Sequence, residues 1–473
     1  MRQIAFPEPA WSVAEVPAFP RKTMPHWGFV ELFVIGQTVL PALLYFSVFQ
    51  PLRLPIRIGA FLASVLALAA ARWGRKGVRH PSTAWLLCSL AYLLLMIFHP
   101  NTNTYLAGFA QVMLYLAVLA PVFWTPALVR SAAHLRRLLW LLLILNGINA
   151  GIGVLQVYAP GTWMPKEITA VDWSGVVQIR TVATTGAKVL SYKGVNGENV
   201  IRPTGLFDSP GAVAGPGMFA GFIGLAFFAS VSGFLKKAVA LILSLMGVSV
   251  IYLTQVRTSL VLLVGMLLVY LWSLIFHRKI SQATSLLIVA IMLTVSAFSL
   301  ALFLGGGGIR DRFATLWSRN PAAVYYASRG SQLENGFTQL LAEHPFGAGL
   351  ARYGMMRHYF GNQSNLDSTQ IWAEVQFPAW ILDGGFVLTF FYTVGMIVSL
   401  VEALRIVSRG RSEELRSIAA LVLAVNAGTA ALTLSFTPFI TQVGLQYWLL
   451  CGALHGAAEG DAQRSGKGEN DSQ

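Results

Sequence analysis

Residues Gly305–Phe313 read GGGGIRDRF and begin the longest polar interval of an otherwise apolar sequence, an interval that ends near Pro378. Within it, Ser331–Glu334 (SQLE) has the form of a capping box, in which a serine hydroxyl and a glutamate carboxylate bind the free N–H groups of a starting helix. The predicted helix would carry an apolar face at helical spacing, formed by Leu333, Phe337, Leu340 and Leu341. His344–Gly349 (HPFGAG) would end it, because proline cannot continue a helix and glycine supplies the turn. The interval is therefore predicted to be a folded loop, and such loops usually carry function.

Composition identifies the class of protein around this loop. The chain has 473 residues, of which 55% are hydrophobic and 11% are charged, whereas soluble proteins carry about 25% charged residues. The net charge of +14 is typical of the basic cytoplasmic loops of a membrane protein, and we do not expect nucleic acid as a partner. The two cysteines, Cys88 and Cys451, lie in or beside apolar runs and indicate neither a disulfide framework nor a cysteine metal site.

Apolar segments long enough, or nearly long enough, to cross a bilayer recur along the chain. There are twelve of them, at roughly 29–49, 55–71, 84–98, 105–124, 138–158, 212–231, 238–253, 259–276, 284–304, 379–401, 417–434 and 438–456. The sequence thus predicts an all-α integral membrane protein of about twelve transmembrane helices. A large, partly helical loop would connect spans 9 and 10.

Lysine and arginine in alternate loops predict the orientation, since cytoplasmic loops carry an excess of both. One set of loops holds fifteen: Arg72, Arg75, Lys76, Arg79, Arg130, Arg136, Arg137, Lys236, Lys237, Arg278, Lys279, Arg405, Arg409, Arg411 and Arg416. The opposite set holds three: Arg53, Arg57 and Arg257. Both termini are therefore predicted to be cytoplasmic, and the long intervals 159–211 and 305–378 would lie together on the outer face.

The chain divides accordingly into three parts. Residues 1–28 are predicted to be a cytoplasmic N-terminal segment, and residues 29–456 a polytopic membrane domain that includes both outer intervals. Residues 457–473 are small and polar and are predicted to be a disordered cytoplasmic tail.

Several signatures of soluble enzymes are absent from the sequence. It contains no GxxxxGK[ST] phosphate loop, no HExxH zinc motif, no GxSxG elbow and no Asp-x-Asp pair. These absences disfavour ATP-driven transport and metal-dependent transfer, so we expect neither a metal nor a cofactor.

Arginines at the predicted outer surface are the first candidates for a site. Arg202 lies in Arg202–Pro210 (RPTGLFDSP) just before the sixth span, and Arg257 lies in Thr254–Ser259 (TQVRTS), a short connection between two spans. Further candidates stand in the long loop: Arg310, Arg312 and Arg329. A charge near hydrocarbon is costly and marks function by default, and guanidinium is suited to bidentate phosphate binding. The structural alternatives are contact with lipid headgroups or ion pairs with Asp208 or Asp311.

Acid–base candidates on the same side are His344, His358, Asp367, Glu374 and Asp383. His344 follows Glu343 at the end of the predicted helix, where a histidine also serves as a favourable C-terminal residue. Glu374 precedes the tenth span, and a carboxylate entering a membrane calls for a functional explanation.

This pattern resembles the O-antigen ligase/polymerase family of bacterial envelope glycosyltransferases (the Wzy and WaaL group), which is similar in span number and in its large late loop. The resemblance covers roughly residues 140–400. It rests on Arg202–Phe207 (RPTGLF), the Arg257–Ser259 turn, Arg329 leading to HPFGAG, and Asp383–Phe386 (DGGF) in the tenth span.

The resemblance implies transfer of a glycan from an undecaprenyl-diphosphate carrier to an acceptor hydroxyl at the periplasmic face of the bacterial inner membrane, with inversion by a single displacement. It implies that Arg202 and Arg257 hold the diphosphate, with Arg310, Arg312 and Arg329 as further candidates. The His-Asn pair of the ligases is missing at 365–370 (NLDSTQ). This departure favours a polymerase of O-antigen or exopolysaccharide, with Glu374, Asp367 or His344 as catalytic residues. The expected partners are the carrier-linked donor, an acceptor glycan on the carrier, membrane lipids, and a chain-length regulator or export proteins.

Other functions stay open at this point. A ligase would transfer the glycan from the carrier to lipopolysaccharide core. A transporter or lipid flippase would show broken spans, and Gly215–Gly217 (GPG) interrupts the sixth span. An assembly subunit would have no chemistry of its own.

Overall fold

The fold is that of a helical membrane protein, seen in a computed structural model that describes residues 28–72, 79–171, 177–181, 191–193, 199–207, 211–318, 320–362 and 373–470. The N-terminal residues 1–27 and the candidate Asp367 lie outside the described residues.

Helices make up most of the described chain. They are α1 Phe29–Ala42, α2 Arg53–Arg72, α3 Thr83–Met96, α4 Tyr105–Leu128, α5 Ala132–Tyr158, α6 Pro160–Trp163, α7 Ala214–Ser230, α8 Phe234–Thr254, α9 Arg257–Phe276, α10 Ile280–Gly305 and α11 Gly307–Ser318. A helical rod over residues 321–343, labelled α12, joins the α-helical pieces Pro321–Tyr325, Ser331–Asn335 and Leu341–Glu343 through π-helical turns at Tyr326–Gly330 and Gly336–Leu340. The remaining helices are α13 Gly354–Phe360, α14 Gln376–Arg409, α15 Glu413–Leu432 and α16 Gln442–Asn470.

Eight helices in the described chain are long and apolar enough to cross a membrane, and three shorter apolar helices accompany them. A multi-pass membrane protein is therefore confirmed. Each of the twelve predicted segments overlaps one of the helices α1–α5, α7–α10 and α14–α16, while the count of twelve spans stays a prediction. The first segment is shorter than expected, because α1 ends at Ala42 and short 3-10 turns at Leu43–Tyr45 and Ser47–Leu52 follow it.

Two small β-hairpins qualify the prediction of an all-α chain. Strands β1 Glu167–Val171 and β2 Val177–Thr181 pair antiparallel, as do β3 Ser191–Lys193 and β4 Asn199–Ile201. Both hairpins belong to the predicted outer interval 159–211. They are small additions to a helical protein, so the fold class remains helical.

The bundle has two main packing cores. The larger one involves α1, α4, α5, α7–α10 and α15, and includes Trp124, Phe222 and Tyr270. The second involves α3, α4 and α14, and includes Trp380 and Tyr392. Helix α16 serves both cores, because Leu445 and Leu449 face the first and Tyr447, Trp448 and Cys451 face the second.

Charged pairs join loops at one end of the bundle. Lys279 lies 2.6 Å from Glu413, and Arg136 lies 3.1 Å from Glu414. These loops belong to the set predicted to be cytoplasmic, so alternate loops do share an end. Which side of the membrane this end faces stays a prediction.

Two predicted boundaries are wrong. Helix α16 continues to Asn470, and its residue Ala457 is fully buried, so the predicted disordered tail is helical where the structure describes it. The small residues of this stretch let the helix pack closely on the chain near Pro126 and Arg130. Ser331–Glu334 is not a capping box either, since the rod starts ten residues earlier at Pro321, with the side chain of Asn320 accepting from Ala322 N at 3.0 Å. The end of the rod at Glu343, before His344–Pro345, is confirmed.

Candidate functional site

The RPTG segment is held against α5 by two buried amide side chains. The Gln156 Oε1 atom accepts from Thr204 N and Gly205 N, each at 2.9 Å, and its Nε2 donates to Gly205 O at 2.8 Å. Asn149 Oδ1 accepts from Leu206 N at 2.7 Å. Gln156 is fully buried and Asn149 nearly so. Since these hydrogen bonds fix the backbone directly after Arg202, they fix where its guanidinium can reach.

Arg202 contacts the connection between α8 and α9. Its Nε donates to Thr254 O, at the end of α8, at 3.2 Å. Gly211, with a φ of +72°, lies against the guanidinium, and a Cβ there would lie 2.8 Å from Arg202 Nε. The structure thus places two predicted candidates together, because Arg257 follows Thr254 by three residues and begins the 20-residue helix α9.

We call the set Arg202, Gln255 and Arg257 the arginine junction. Gln255 links the two helices in a left-handed conformation (φ 56°, ψ 27°), which is uncommon for a residue other than glycine, asparagine or aspartate. Arg257 stands at the N-terminus of α9, where backbone N–H groups and the helix dipole favour an anion. Cations and a helix N-terminus in one place form a candidate phosphate site.

Helix α11 covers the neighbouring part of α8. The rings of Phe313 and Tyr252 lie 4.9 Å apart between centroids, and Ile309 and Phe313 are buried. Arg312 is the residue before Phe313. The Arg310 side chain is 72% exposed, and its Nε atom lies 3.4 Å from Asp311 Oδ1. The predicted structural pair of Arg310 and Asp311 is present.

Arg329 and Glu374 form an ion pair with each other. Arg329 lies on the rod α12, Glu374 precedes α14, and the two side chains are 33% and 35% exposed. The rod crosses the start of α14, where the rings of Phe337 and Phe377 are 5.6 Å apart. Tyr325 ties the rod to the end of α15 through a 2.7 Å bond from its hydroxyl to Leu434 O. A predicted phosphate ligand and a predicted base are therefore partners.

The HPFGAG turn is inserted into a break in α14. Gly384 and Gly385 have non-helical backbone angles. The helical bond between Phe386 N and Leu382 O is replaced by two others: Phe386 N donates to Pro345 O at 2.8 Å, and Ala348 N donates to Leu382 O at 2.7 Å. Because the turn satisfies both groups that the break leaves open, its sequence has a structural role that its resemblance to a functional motif did not reveal.

Asp383 stands beside this break and is fully buried. Its Oδ2 atom accepts from Tyr115 OH at 2.7 Å, from Gln111 Nε2 at 3.1 Å and from Tyr353 OH at 3.1 Å. Its Oδ1 atom is buried without a hydrogen-bond partner. We call Asp383, Gly384, Gly385 and the inserted turn the helix break. Three donors on one oxygen make Asp383 an anchor between α4, α14 and the loop at Tyr353.

His344 lies near His99 and Arg352, beside the helix break. Burial, together with the nearby Arg352 and His344, lowers the pKa of His99. Burial and the neighbouring Arg357 likewise lower the pKa of Arg352, whose guanidinium donates to Ala348 O at 3.1 Å. Positive charge on this end of the bundle is thus found at the helix break as well as at the arginine junction.

The structure therefore divides the predicted site residues into groups. Arg202 binds the connection that leads to Arg257, and Arg312 lies on the adjacent helix α11. Arg329 pairs with Glu374, and His344 lies by the helix break. Sequence reasoning missed Gln156, Asn149, Gln255 and Arg352. The buried amides resemble ordinary polar residues in apolar runs. The sequence feature that could have indicated them is the presence of two asparagines, Asn146 and Asn149, within the apolar helix α5.

No protein-family model matches this chain, and no curated protein matches it significantly in sequence. The family resemblance therefore rests on the motifs themselves.

Proposed function

We propose that this multi-pass membrane protein is a glycosyltransferase that polymerises lipid-diphosphate-linked oligosaccharide repeat units, acting at the periplasmic face of a bacterial inner membrane. The observation that carries the proposal is the arginine junction. Two segments more than fifty residues apart in the chain, one with Arg202 and one with Arg257, meet there at the start of a long helix. Such a site suits a diphosphate.

The chemistry follows from a donor that already carries its leaving group at the membrane surface. The acceptor hydroxyl oxygen attacks the anomeric carbon, the new glycosidic bond forms, and the carbon–oxygen bond to the diphosphate breaks. Arg202, Arg257 and the N-terminus of α9 stabilise the negative charge that develops on the diphosphate. The proton of the acceptor hydroxyl passes to a base.

Glu374 is our candidate for that base. Its carboxylate is 35% exposed, is held by Arg329, and lies two residues before α14, where the long loop returns to the helical bundle. Asp383, in contrast, is enclosed and receives three hydrogen bonds on one oxygen, so it suits a structural role.

A transporter is the second candidate, and the broken helix α14 is the observation that favours it. Discontinuous spans with polar groups at the break are common in transporters, and here Asp383 lies at such a break. The break is filled by the HPFGAG turn, however, rather than open to a ligand.

Deletion of the gene, with sizing of carrier-linked and surface polysaccharide, tests these functions against each other. A polymerase predicts that single repeat units accumulate on the carrier at the outer face and that long chains are lost. Long chains that form but stay unattached on the carrier would identify a ligase instead. Repeat units trapped at the inner face would identify a transporter.

The role of Glu374 can be tested separately, because the two charged residues of its ion pair with Arg329 can be exchanged. Glu374→Gln should reproduce the deletion phenotype while the protein still inserts. The double variant Arg329→Glu with Glu374→Arg restores an ion pair and should stay inactive if the carboxylate at 374 is the base. Normal polymer in the double variant would reduce the pair to a structural contact.

A further inference from the structure

Gln255 is an unsatisfied polar side chain at the centre of the arginine junction. The residue is 4% exposed, and neither its Nε2 nor its Oε1 atom has a hydrogen-bond partner. Its neighbours in the chain are Thr254, whose carbonyl oxygen binds Arg202, and the pair Val256–Arg257. In the chain, Gln255 therefore stands between the residue that binds Arg202 and the residue Arg257, which are the groups that we assign to the donor diphosphate.

A purely structural role does not account for this residue. A buried amide without partners is destabilising, and an apolar side chain of the same shape would avoid that cost. The left-handed backbone at Gln255, with φ 56°, favours glycine or asparagine over glutamine. Strain and missing hydrogen bonds at one residue are typical of positions kept for function.

The chemistry of a carboxamide limits what can satisfy it. Nε2 donates hydrogen bonds and Oε1 accepts them. A diphosphate offers only acceptor oxygens, so it could pair with Nε2 but would leave Oε1 without a donor. In our proposed substrate, the group attached to the diphosphate that can supply such a donor is the first sugar.

We propose that the Gln255 carboxamide bridges the donor diphosphate and the C2 substituent of the sugar attached to it. This inference rests on the proposed function. Nε2 donates to a phosphate oxygen, and Oε1 accepts from the hydroxyl or the acetamido N–H at C2, which stands next to the anomeric carbon that bears the diphosphate. The ligand class is a lipid-diphosphate sugar with a hydrogen-bond donor at C2.

The covered position of Gln255 is compatible with this role. Both polar atoms are shielded in the structure, so the side chain has to turn toward the ligand when it binds. It makes no hydrogen bond in its resting position, and turning therefore breaks none.

The contact would also act in catalysis. Glycosyl transfer passes through a transition state with positive charge on the sugar ring, and hydrogen bonds at the 2-position strengthen there. Gln255 would then recognise the donor sugar through its C2 substituent, and the same contact would stabilise the transition state in which the diphosphate leaves.

Binding of three probes to purified full-length protein tests the inference without any need for turnover. The probes are a short-chain prenyl diphosphate, its glucosyl derivative and its 2-deoxyglucosyl derivative. Wild-type protein should bind the glucosyl probe about tenfold more tightly than the 2-deoxy probe. Gln255→Met should bind these two probes equally, with a thermal midpoint equal to or above that of wild type. Gln255→Gly, which suits the left-handed backbone, should behave like Gln255→Met.

Gln37→Met is the matched control, because Gln37 is also 4% exposed but lies on α1, where it donates to Ala60 O. It should keep the preference for the glucosyl probe. The inference is overturned, while the donor site stands, if wild-type protein binds prenyl diphosphate but binds the glucosyl and 2-deoxyglucosyl probes equally. The same conclusion follows if the preference for the glucosyl probe survives in both Gln255 variants. Failure of wild-type protein to bind any of the three probes would remove the donor site together with this inference.

Discussion

The arginine junction, which connects two helices, and the helix break, which interrupts one, differ in whether their polar groups have partners. At the helix break, two backbone groups that lose their helical partners find new ones in the HPFGAG turn, and one oxygen of Asp383 receives three donors. At the arginine junction, Gln255 is buried without a partner, and cations gather at a helix N-terminus. At the helix break the open backbone groups are satisfied by another part of the chain, which stabilises the fold, although Asp383 Oδ1 stays without a partner. At the arginine junction a whole side-chain amide is left unsatisfied, which favours a role in ligand binding.

The two regions are connected through the rod α12. It follows α11, which packs on α8 near the junction, and it ends at the turn that fills the break. On its way it carries Arg329 to Glu374. Displacing the turn should therefore also displace the ion pair.

The largest effect is expected from Gly385→Ala. Gly385 has a φ of +59°, and a Cβ there would lie 2.1 Å from Pro345 O, so the inserted turn would have to leave the break. We expect a loss of folding free energy above about 3 kcal/mol, seen as low yield and a lower thermal midpoint.

Gly265→Ala is the control for this variant, since a Cβ at Gly265 meets nothing within 4 Å in helix α9. It should be neutral or stabilising by about 1 kcal/mol. Equal stability of both alanine variants would show that the turn does not hold the break.

Arg202→Ala and Arg257→Ala should affect activity rather than folding. Removal of one cation from a developing negative charge costs about 10²–10³ in rate. Lysine at either position should restore only part of the activity, because it lacks the planar fork of guanidinium. Polymer length and amount in cells, measured at equal protein levels, check this, and normal polymer from both alanine variants would contradict the donor site.

Gln156→Leu should affect both folding and activity, which would sharpen the distinction between the regions. The substitution leaves Thr204 N and Gly205 N buried without their acceptor. We expect a loss of about 1–3 kcal/mol for an unsatisfied buried group, together with reduced polymer because Arg202 is misplaced. A stable but inactive variant would indicate that Gln156 contacts the substrate directly.

The smallest effect concerns acid stability at the opposite end of the bundle. Burial, and then the charge of His455, lower the pKa of His80 to about 3, against a smaller opposing effect of Glu402. His80 therefore stays neutral in the folded protein while it takes up a proton in the unfolded chain below pH 6.5. Its contribution to stability is complete above pH 6.5 and is lost toward pH 3, by up to about 1.4 kcal/mol per pH unit. The thermal midpoint of His80→Asn should fall less than that of wild type between pH 7 and pH 5, and equal falls would contradict this account.

The sequence alone determined the class of the protein and the location of its helices, because each apolar segment is a local property of composition and length. It also marked Arg202 and Arg257, since charges beside hydrocarbon are rare enough to stand out. The capping box at Ser331–Glu334 and the tail after residue 456 were wrong, because local patterns there gave way to packing of the rod and of α16 on the rest of the chain.

Only the tertiary structure decided how the candidates combine. In the structure, Arg202 lies beside the α8–α9 connection, and Arg329 forms an ion pair with Glu374. A turn from another part of the chain fills the break in α14. The buried amides Gln156 and Gln255 acquired roles that no local pattern distinguishes, since one has four polar atoms within reach and the other has none. Hydrogen bonds between residues distant in the chain depend on the folded arrangement of helices, and so does their absence.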